Sequence, residues 1–212
     1  MNMDAANRFR TLWEESWRGV PGPDASVLVA SYGQPSRHYH NLAHIVQCLD
    51  VLSAYQRATS ATAPMVRIAL FYHDVIYDST RKDNEEASAR FANESLSPWL
   101  SLPMVQHIER LIRVTDHVRP PIQGEERLIV DADLSILGMP AEIFDAYEVA
   151  IRREYEWVPE EKYRQGRTAV LQNFLKRPVI YSIQWFREQY EAAARVNLER
   201  SIVRLNGASG TY

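Results

Sequence analysis

The sequence holds one cysteine, Cys48, in 212 residues. An internal disulfide is therefore excluded, and with it the disulfide-stapled class of secreted domains and any site built from several thiolates. Charge of one sign is also lacking, because 24 Lys and Arg stand against 27 Asp and Glu for a formal net charge of -3. That balance offers no overall field for a nucleic-acid polymer or an anionic membrane, so any bound anion has to meet local positive charge. No apolar run approaches the ~20 residues that span a bilayer. The most apolar stretch, 68–77, is interrupted by His73 and Asp74. Residues 1–18 carry charges and tryptophans throughout instead of the basic, apolar, small-residue order of a secretory signal, and the expected location is cytoplasmic. No Gly-x-x-x-x-Gly-Lys, Gly-x-Gly-x-x-Gly, His-Glu-x-x-His or Glu-x-x-His pattern occurs, which sets aside several familiar phosphate, dinucleotide and metal sites.

What is present is three- and four-residue spacing of apolar side chains, as in Phe9, Leu12, Trp13 and Trp17, or Val105, Ile108, Leu111 and Ile112. Sustained period-two alternation is absent, so the expected class is all-α. The pattern predicts helices near 4–18, 24–33, 39–56, 63–77, 84–97, 102–115, 125–137, 140–155, 159–176 and 180–205. Pro21, Gly22 and Pro23, Pro64, Pro103, and the Pro120-Pro121…Gly124 segment separate elements and not domains. With 46% hydrophobic residues the chain can bury a full core, and one domain over 1–212 is expected. The last predicted helix carries a stripe of Ile183, Phe186, Tyr190, Ala193, Ala194, Asn197 and Leu198, read as core. Trp99, Trp157 and Trp185 are read as packing in preference to stacking platforms, and the segment 207–212 as a frayed tail.

Chemistry is concentrated in three places: Tyr39-His40-Asn41-Leu42-Ala43-His44, Phe71-Tyr72-His73-Asp74, and Asp131-Ala132-Asp133-Leu134. With six histidines in the chain, an adjacent His-Asp pair arises by chance about 0.3 times per shuffled sequence, so the pair alone decides nothing. Its surroundings matter more. His40 and His44 share a helical face, whereas His73 and Asp74 point ~100° apart on a continuous helix. A helix ending soon after His73 would let both converge, and the run Asp78-Ser79-Thr80 is a stop signal. Ionisable groups beside Ile68, Ala69, Leu70 and Phe71 are costly unless each charge is matched. Two imidazoles and two carboxylates would form a mixed N/O site for a divalent Mn, Fe, Co, Ni, Zn or Mg ion.

The order of one His, an adjacent His-Asp and a later Asp resembles the HD superfamily of metal-dependent phosphohydrolases. More narrowly, Tyr39 to His44, His73 to Tyr77, Asn84 to Ser88 and Asp131 to Leu134 resemble a bacterial subgroup of short HD proteins regarded as phosphohydrolases. The resemblance implies an HD-type helical bundle with a metal-binding core over about 38–140, extra N-terminal helices, and C-terminal helices 140–205 packing on it. It implies His44, in preference to His40, with His73, Asp74 and Asp133, in preference to Asp131, as metal ligands. It implies hydrolysis of a small phosphate ester, a nucleotide foremost, by a metal-activated water.

Asp74 is the carboxylate best placed to take the water's proton. Glu85 is a candidate general acid or orienter, although with Glu86 behind Asp83 and Asn84 its simpler reading is a charge at a helix N-terminus. Arg37 and His40 are candidate phosphate contacts beside the metal motif, and Arg167 is a third. His117 reads either as a helix-end cation or as a ligand to a second ion, and His107 as solvated. A homodimer is compatible with this sequence. Two other functions stay in view: a two-metal HD oxygenase, which needs more histidines, and a non-catalytic helical ligand-binding or interaction module with a structural metal site.

Overall fold

In the computed structural model residues 3–119, 121–122 and 124–207 are described, and every regular element among them is helical. The expected all-α class is the one observed. Residues 208–212 of the tail read as frayed, and Pro120 of the proline loop, lie outside the described residues. The chain divides into two compact units, Met1–Asp133 and Leu134–Tyr212.

The first unit contains α1 (Met3–Ser16), α2 (Ser26–Tyr32), α3 (Leu42–Thr59), α4 (Pro64–Tyr72), α5 (Asn84–Leu96), α6 (Leu102–Arg113), a 3-10 turn at Val114–Asp116, and α7 (Gly124–Asp133). Local chemistry sets the starts. The Asn41 side chain accepts the Ala43 amide at 2.9 Å and caps α3, and prolines occupy the first turns of α4 and α6, where a missing N–H costs nothing. The three- and four-residue spacing brings Phe9, Leu12 and Trp13, Ile45, Leu49 and Leu52, Leu70 and Phe71, and Ile108, Leu111 and Ile112 into one core. Phe71 stands edge-on to Phe9 and to Trp13, with centroids 5.0 Å apart in each case. Each such pair contributes about 1 kcal/mol beyond its buried area. Helix α6 packs on α4 and α5, and α3 on α1, α4 and α7. Trp99 departs from the core reading: it follows the end of α5 and is 44% exposed.

The second unit contains a 3-10 segment at Leu134–Gly138, α8 (Ala141–Glu154), α9 (Glu160–Leu175), α10 (Gln184–Phe186), a π-helical turn at Arg187–Glu191, and α11 (Ala192–Gly207). Phe144, Ile151, Leu171, Tyr181, Phe186 and Leu198 form its core. The single helix expected over 180–205 is therefore interrupted. The Glu191 carboxylate at the π turn accepts the amides of Ile180 and Tyr181, and a Cβ on Gly138 would lie 2.5 Å from the Tyr190 carbonyl oxygen, so only glycine allows that approach. The wider turn shifts the register beyond it. Ala193, assigned to the buried stripe, is exposed, whereas Ala194, Asn197 and Leu198 are buried. Trp157 also departs from the packing reading, at 56% exposed. Among the described residues no helix is long and apolar enough to cross a membrane.

Candidate metal centre

The site begins with the end of α4. The periodicity predicts a helix to 77, but α4 stops at Tyr72 with His73 as its C-cap. Helix ends leave backbone carbonyls without intrahelical donors, and the last three of α4 find other partners. His73 Nδ1 lies 3.0 Å from the Leu70 carbonyl, the Tyr32 hydroxyl donates to Phe71 O at 3.0 Å, and the Val75 amide donates to Tyr72 O at 3.1 Å. Beyond the helix, the buried Arg37 guanidinium donates to the carbonyls of Asp74, Val75 (2.7 Å) and His40 (3.2 Å). These bonds compensate for stopping the helix early: His73 keeps helical dihedrals as the C-cap (φ -59°, ψ -34°), and Asp74 follows it in a turn.

The segment that follows is held by α5. Ser88 Oγ accepts the Ile76 amide at 3.1 Å and donates to the Ile76 carbonyl at 3.2 Å. Asn84 accepts the Asp78 amide and donates to the Asp78 carbonyl, both at 3.0 Å. Asp83 occupies the N-cap position without capping, because both its oxygens are taken by Arg81 at 2.9 Å.

His73 and Asp74 then meet His44, from the first turn of α3, and Asp133, at the end of α7. The two imidazole Nε2 atoms are 3.2 Å apart. His44 Nε2 lies 3.4 Å from Asp74 Oδ2 and 3.2 Å from Asp133 Oδ1, and His73 Nε2 lies 3.1 Å and 3.6 Å from the same two atoms. Metal–N/O bonds of about 2.1 Å give ligand–ligand edges of about 3.0 Å at right angles and about 3.4 Å at tetrahedral angles, which covers these distances except that of His73 to Asp133, at 3.6 Å. His44, His73 and Asp133 form a group whose donor atoms all lie within 4.8 Å of one another and could hold a metal ion. His73 Nδ1 faces Leu70 O, so the Nδ1–H tautomer leaves its Nε2 lone pair toward the cluster.

The electrostatics of the cluster are those of buried anions seeking a cation. Burial would lower both imidazoles. Against it, Cys48, Asp133 and Asp74 act on His44, and Asp74 and Asp133 act on His73, so that both are held well above the usual histidine value. Burial would likewise raise the carboxylates, but His73, His40 and His44 hold Asp74, and His117, His44 and His73 hold Asp133, well below the usual range.

The remaining expected residues have these surroundings. His40 lies beside the centre, its ring stacked on Tyr77 at 3.9 Å and edge-on to Tyr39 at 4.9 Å. Arg37 is 6% exposed and its guanidinium serves the protein's own carbonyls, lying over the rings of Tyr32 and Tyr77 at 5.2 and 5.8 Å. Glu85, half-buried in the first turn of α5, is raised above the usual glutamate value by burial and by the charges of Asp74 and Asp116. Its neighbour Glu86 is bound to Arg113 at 2.6 Å. Arg167 belongs to the second unit, where it is paired with Glu148 and donates to the Tyr147 hydroxyl at 2.7 Å. His107, expected to be solvated, contacts Glu125 at 2.5 Å.

Further partners surround the cluster: His117, read as a helix-end cation or a ligand to a second ion, Cys48, which had no expected role here, and Asn84 and Ser88, which entered through the family resemblance. His117 adopts a left-handed conformation (φ 55°) and puts Nε2 3.0 Å from Asp133 Oδ2. Cys48 Sγ is 3.6 Å from His44 Nδ1, a link foreshadowed by their i,i+4 spacing. Asn84 and Ser88 stand in the motif Asn-Glu-x-x-Ser, whose purpose only the folded loop reveals. No family model, curated protein or solved structure matches the chain.

Proposed function

We propose that this chain is an HD-type metal-dependent phosphohydrolase acting on a small phosphate ester, with a nucleotide as the leading substrate class. The observation that carries this reading is the convergence of His44, His73, Asp74 and Asp133, whose facing nitrogen and oxygen atoms lie 3.1–3.6 Å apart, with a further carboxyl, Glu85, within electrostatic reach of Asp74. Asp74 is held well below its usual range, and Glu85, which feels the Asp74 charge, is pushed above its own. Two carboxyls driven apart in this way divide naturally into base and acid.

The residues proposed to hold a divalent ion are His44, His73, Asp74 and Asp133. When bound, such an ion supplies positive charge for the phosphoryl group and acidifies a water near neutral pH. Asp74, kept ionised by the imidazoles around it, is the proposed acceptor of a proton from the attacking water, and Glu85, raised by burial and by the charges of Asp74 and Asp116, is the proposed donor to the departing oxygen. His117 fixes which oxygen of Asp133 faces the two imidazoles, and the Leu70 carbonyl does the same for the nitrogens of His73. His40, within electrostatic reach of Asp74, is the proposed phosphate contact. Arg37 acts through the His-Asp turn that it braces.

The test is metal analysis of the purified protein beside His73→Ala and Asp74→Ala, followed by a phosphate-release screen of phosphomonoesters, nucleotides and phosphodiesters. Turnover that requires the ion and is lost in both variants is the expected result. A metal-loaded protein that hydrolyses none of these substrates would move the non-catalytic ligand-binding reading ahead.

A further inference from the structure

A cavity lies in the first unit, away from the cluster of imidazoles and carboxylates. It has a volume of about 610 Å³ and is walled chiefly by Trp17, Val20, Met65, Ile68, Trp99 and Met104. That size falls within the ~300–1,000 Å³ typical of small-molecule pockets, whose usual makeup is apolar walls with a few polar groups. Several walls are large apolar side chains left open to solvent: Val20 is 58% exposed, Trp99 44% and Met104 37%. Neighbouring exposed apolar groups of this size are uncommon on a soluble surface unless something covers them.

One charged residue lines the cavity, Arg67. It is half-buried, and its Nη2 donates to two neutral partners, Ser53 Oγ at 3.0 Å and Gln56 Oε1 at 3.1 Å. No carboxylate among the described residues forms an ion pair with it. The acids whose charge reaches it are Glu15 and Asp50, and Asp50 is itself bound to Arg8 at 2.7 Å. Burial lowers its pKa from the ordinary arginine value, which is the direction expected of a guanidinium whose charge is incompletely matched. With both Nη2 hydrogens given to Ser53 and Gln56, the Nε and Nη1 hydrogens remain for single contacts to a carboxylate, and a two-point contact requires one of the two neutral bonds to be exchanged.

We infer that this cavity binds a small amphiphilic carboxylate, its apolar body between Trp17 and Trp99 and its carboxylate on Arg67. The single cation at an otherwise apolar wall matches a monoanion with a hydrocarbon or aromatic body. It does not match a polyanion such as a nucleotide. The inference is independent of the hydrolase reading, because none of the residues involved belongs to the metal centre.

Two probes of equal chain length, decanoate and decanol, separate headgroup recognition from simple apolar partition. Each is titrated into the full-length protein while tryptophan fluorescence and heat are recorded. Decanoate is expected to bind saturably, at least tenfold more tightly than decanol, and to alter the emission of Trp17 and Trp99. In Arg67→Met the two probes should converge, decanol binding being retained. A Trp99→Ala variant should weaken both alike. Equal affinity of decanoate and decanol for the unaltered protein would overturn the proposal without recourse to any variant, and so would failure of decanoate to saturate below its micellar range.

Discussion

Nε2 of His44 and Nε2 of His73 lie 3.2 Å apart in the buried interior of the first unit. Two imidazoles this close cannot both point a proton at the other. What reconciles them is positive charge shared with Asp74 and Asp133, carried by protons when no ion is bound and by the ion when one is. Binding therefore expels protons, and affinity has to depend on pH.

The sign of that dependence follows from the shifts. His44 and His73 are raised, so their contribution to stability is complete below the unfolded value of about 6.5 and is lost as pH rises through the folded values. Asp74 and Asp133 are lowered, so theirs is present above about 3.9 and is lost as pH falls through the folded values. The ion-free protein should accordingly be most stable between these limits. A divalent ion should raise the melting temperature more at pH 8 than at pH 6. Equal melting shifts at the two pH values would show that protons and metal do not compete for this cluster.

Substitution should rank the ligands. Asp133→Asn and His73→Ala are expected to lose stoichiometric metal, while His40→Ala keeps it, since His40 is stacked on Tyr77 and stands beside the donor group without belonging to it. His117→Ala should weaken binding by about 10–100-fold, the usual effect of removing a partner that orients a ligand. His117→Asn can keep both a donor and the left-handed backbone and should recover part of the loss. Metal retained at full stoichiometry in Asp133→Asn would contradict the cluster.

The difference between Glu85 and Glu86 gives an internal control. Glu85→Gln keeps size and removes the dissociable proton, so if Glu85 is the general acid the turnover should fall by about 10²–10⁴-fold with metal content unchanged. Glu86 is 44% exposed at its side chain and tied to Arg113, and Glu86→Gln should cost less than about 1 kcal/mol of stability and leave the rate alone. Similar rates for the two variants would remove Glu85 from the chemistry.

The helical class was legible because it depends on short-range pattern, whereas the set that includes His44, His73 and Asp133, which the fold brings together, came from the family resemblance. Apolar spacing reports a helix face, and His44 heads the stripe that continues through Ile45, Cys48, Leu49 and Leu52. What the pattern missed depends on partners distant in sequence. The run Asp78-Ser79-Thr80 signals a stop, but α4 ends already at Tyr72, where Tyr32 and Arg37, more than 30 residues upstream, take up the carbonyls of Phe71 and Asp74. The π turn at Arg187–Glu191 likewise depends on Glu191 meeting the amides of Ile180 and Tyr181 and on the close approach of Gly138, which moved Ala193 out of the expected stripe. The Arg37 side chain was read as a phosphate contact because it is basic and near the motif. Its burial could not be read from composition.

That burial makes Arg37 the most informative single residue to change. Its guanidinium donates to the carbonyls of Asp74, Val75 and His40, so Arg37→Met leaves three backbone acceptors without it and should cost about 3 kcal/mol or more. Arg37→Lys keeps the charge but replaces a rigid fork by one ammonium, and should cost about 2 kcal/mol. Both variants should weaken metal binding together with stability, because the turn carrying His73 and Asp74 loses its brace. Thermal melts and metal titrations on the two variants decide the role. An Arg37 whose main duty was to contact phosphate would instead leave melting temperature and metal affinity untouched and raise only KM for the substrate.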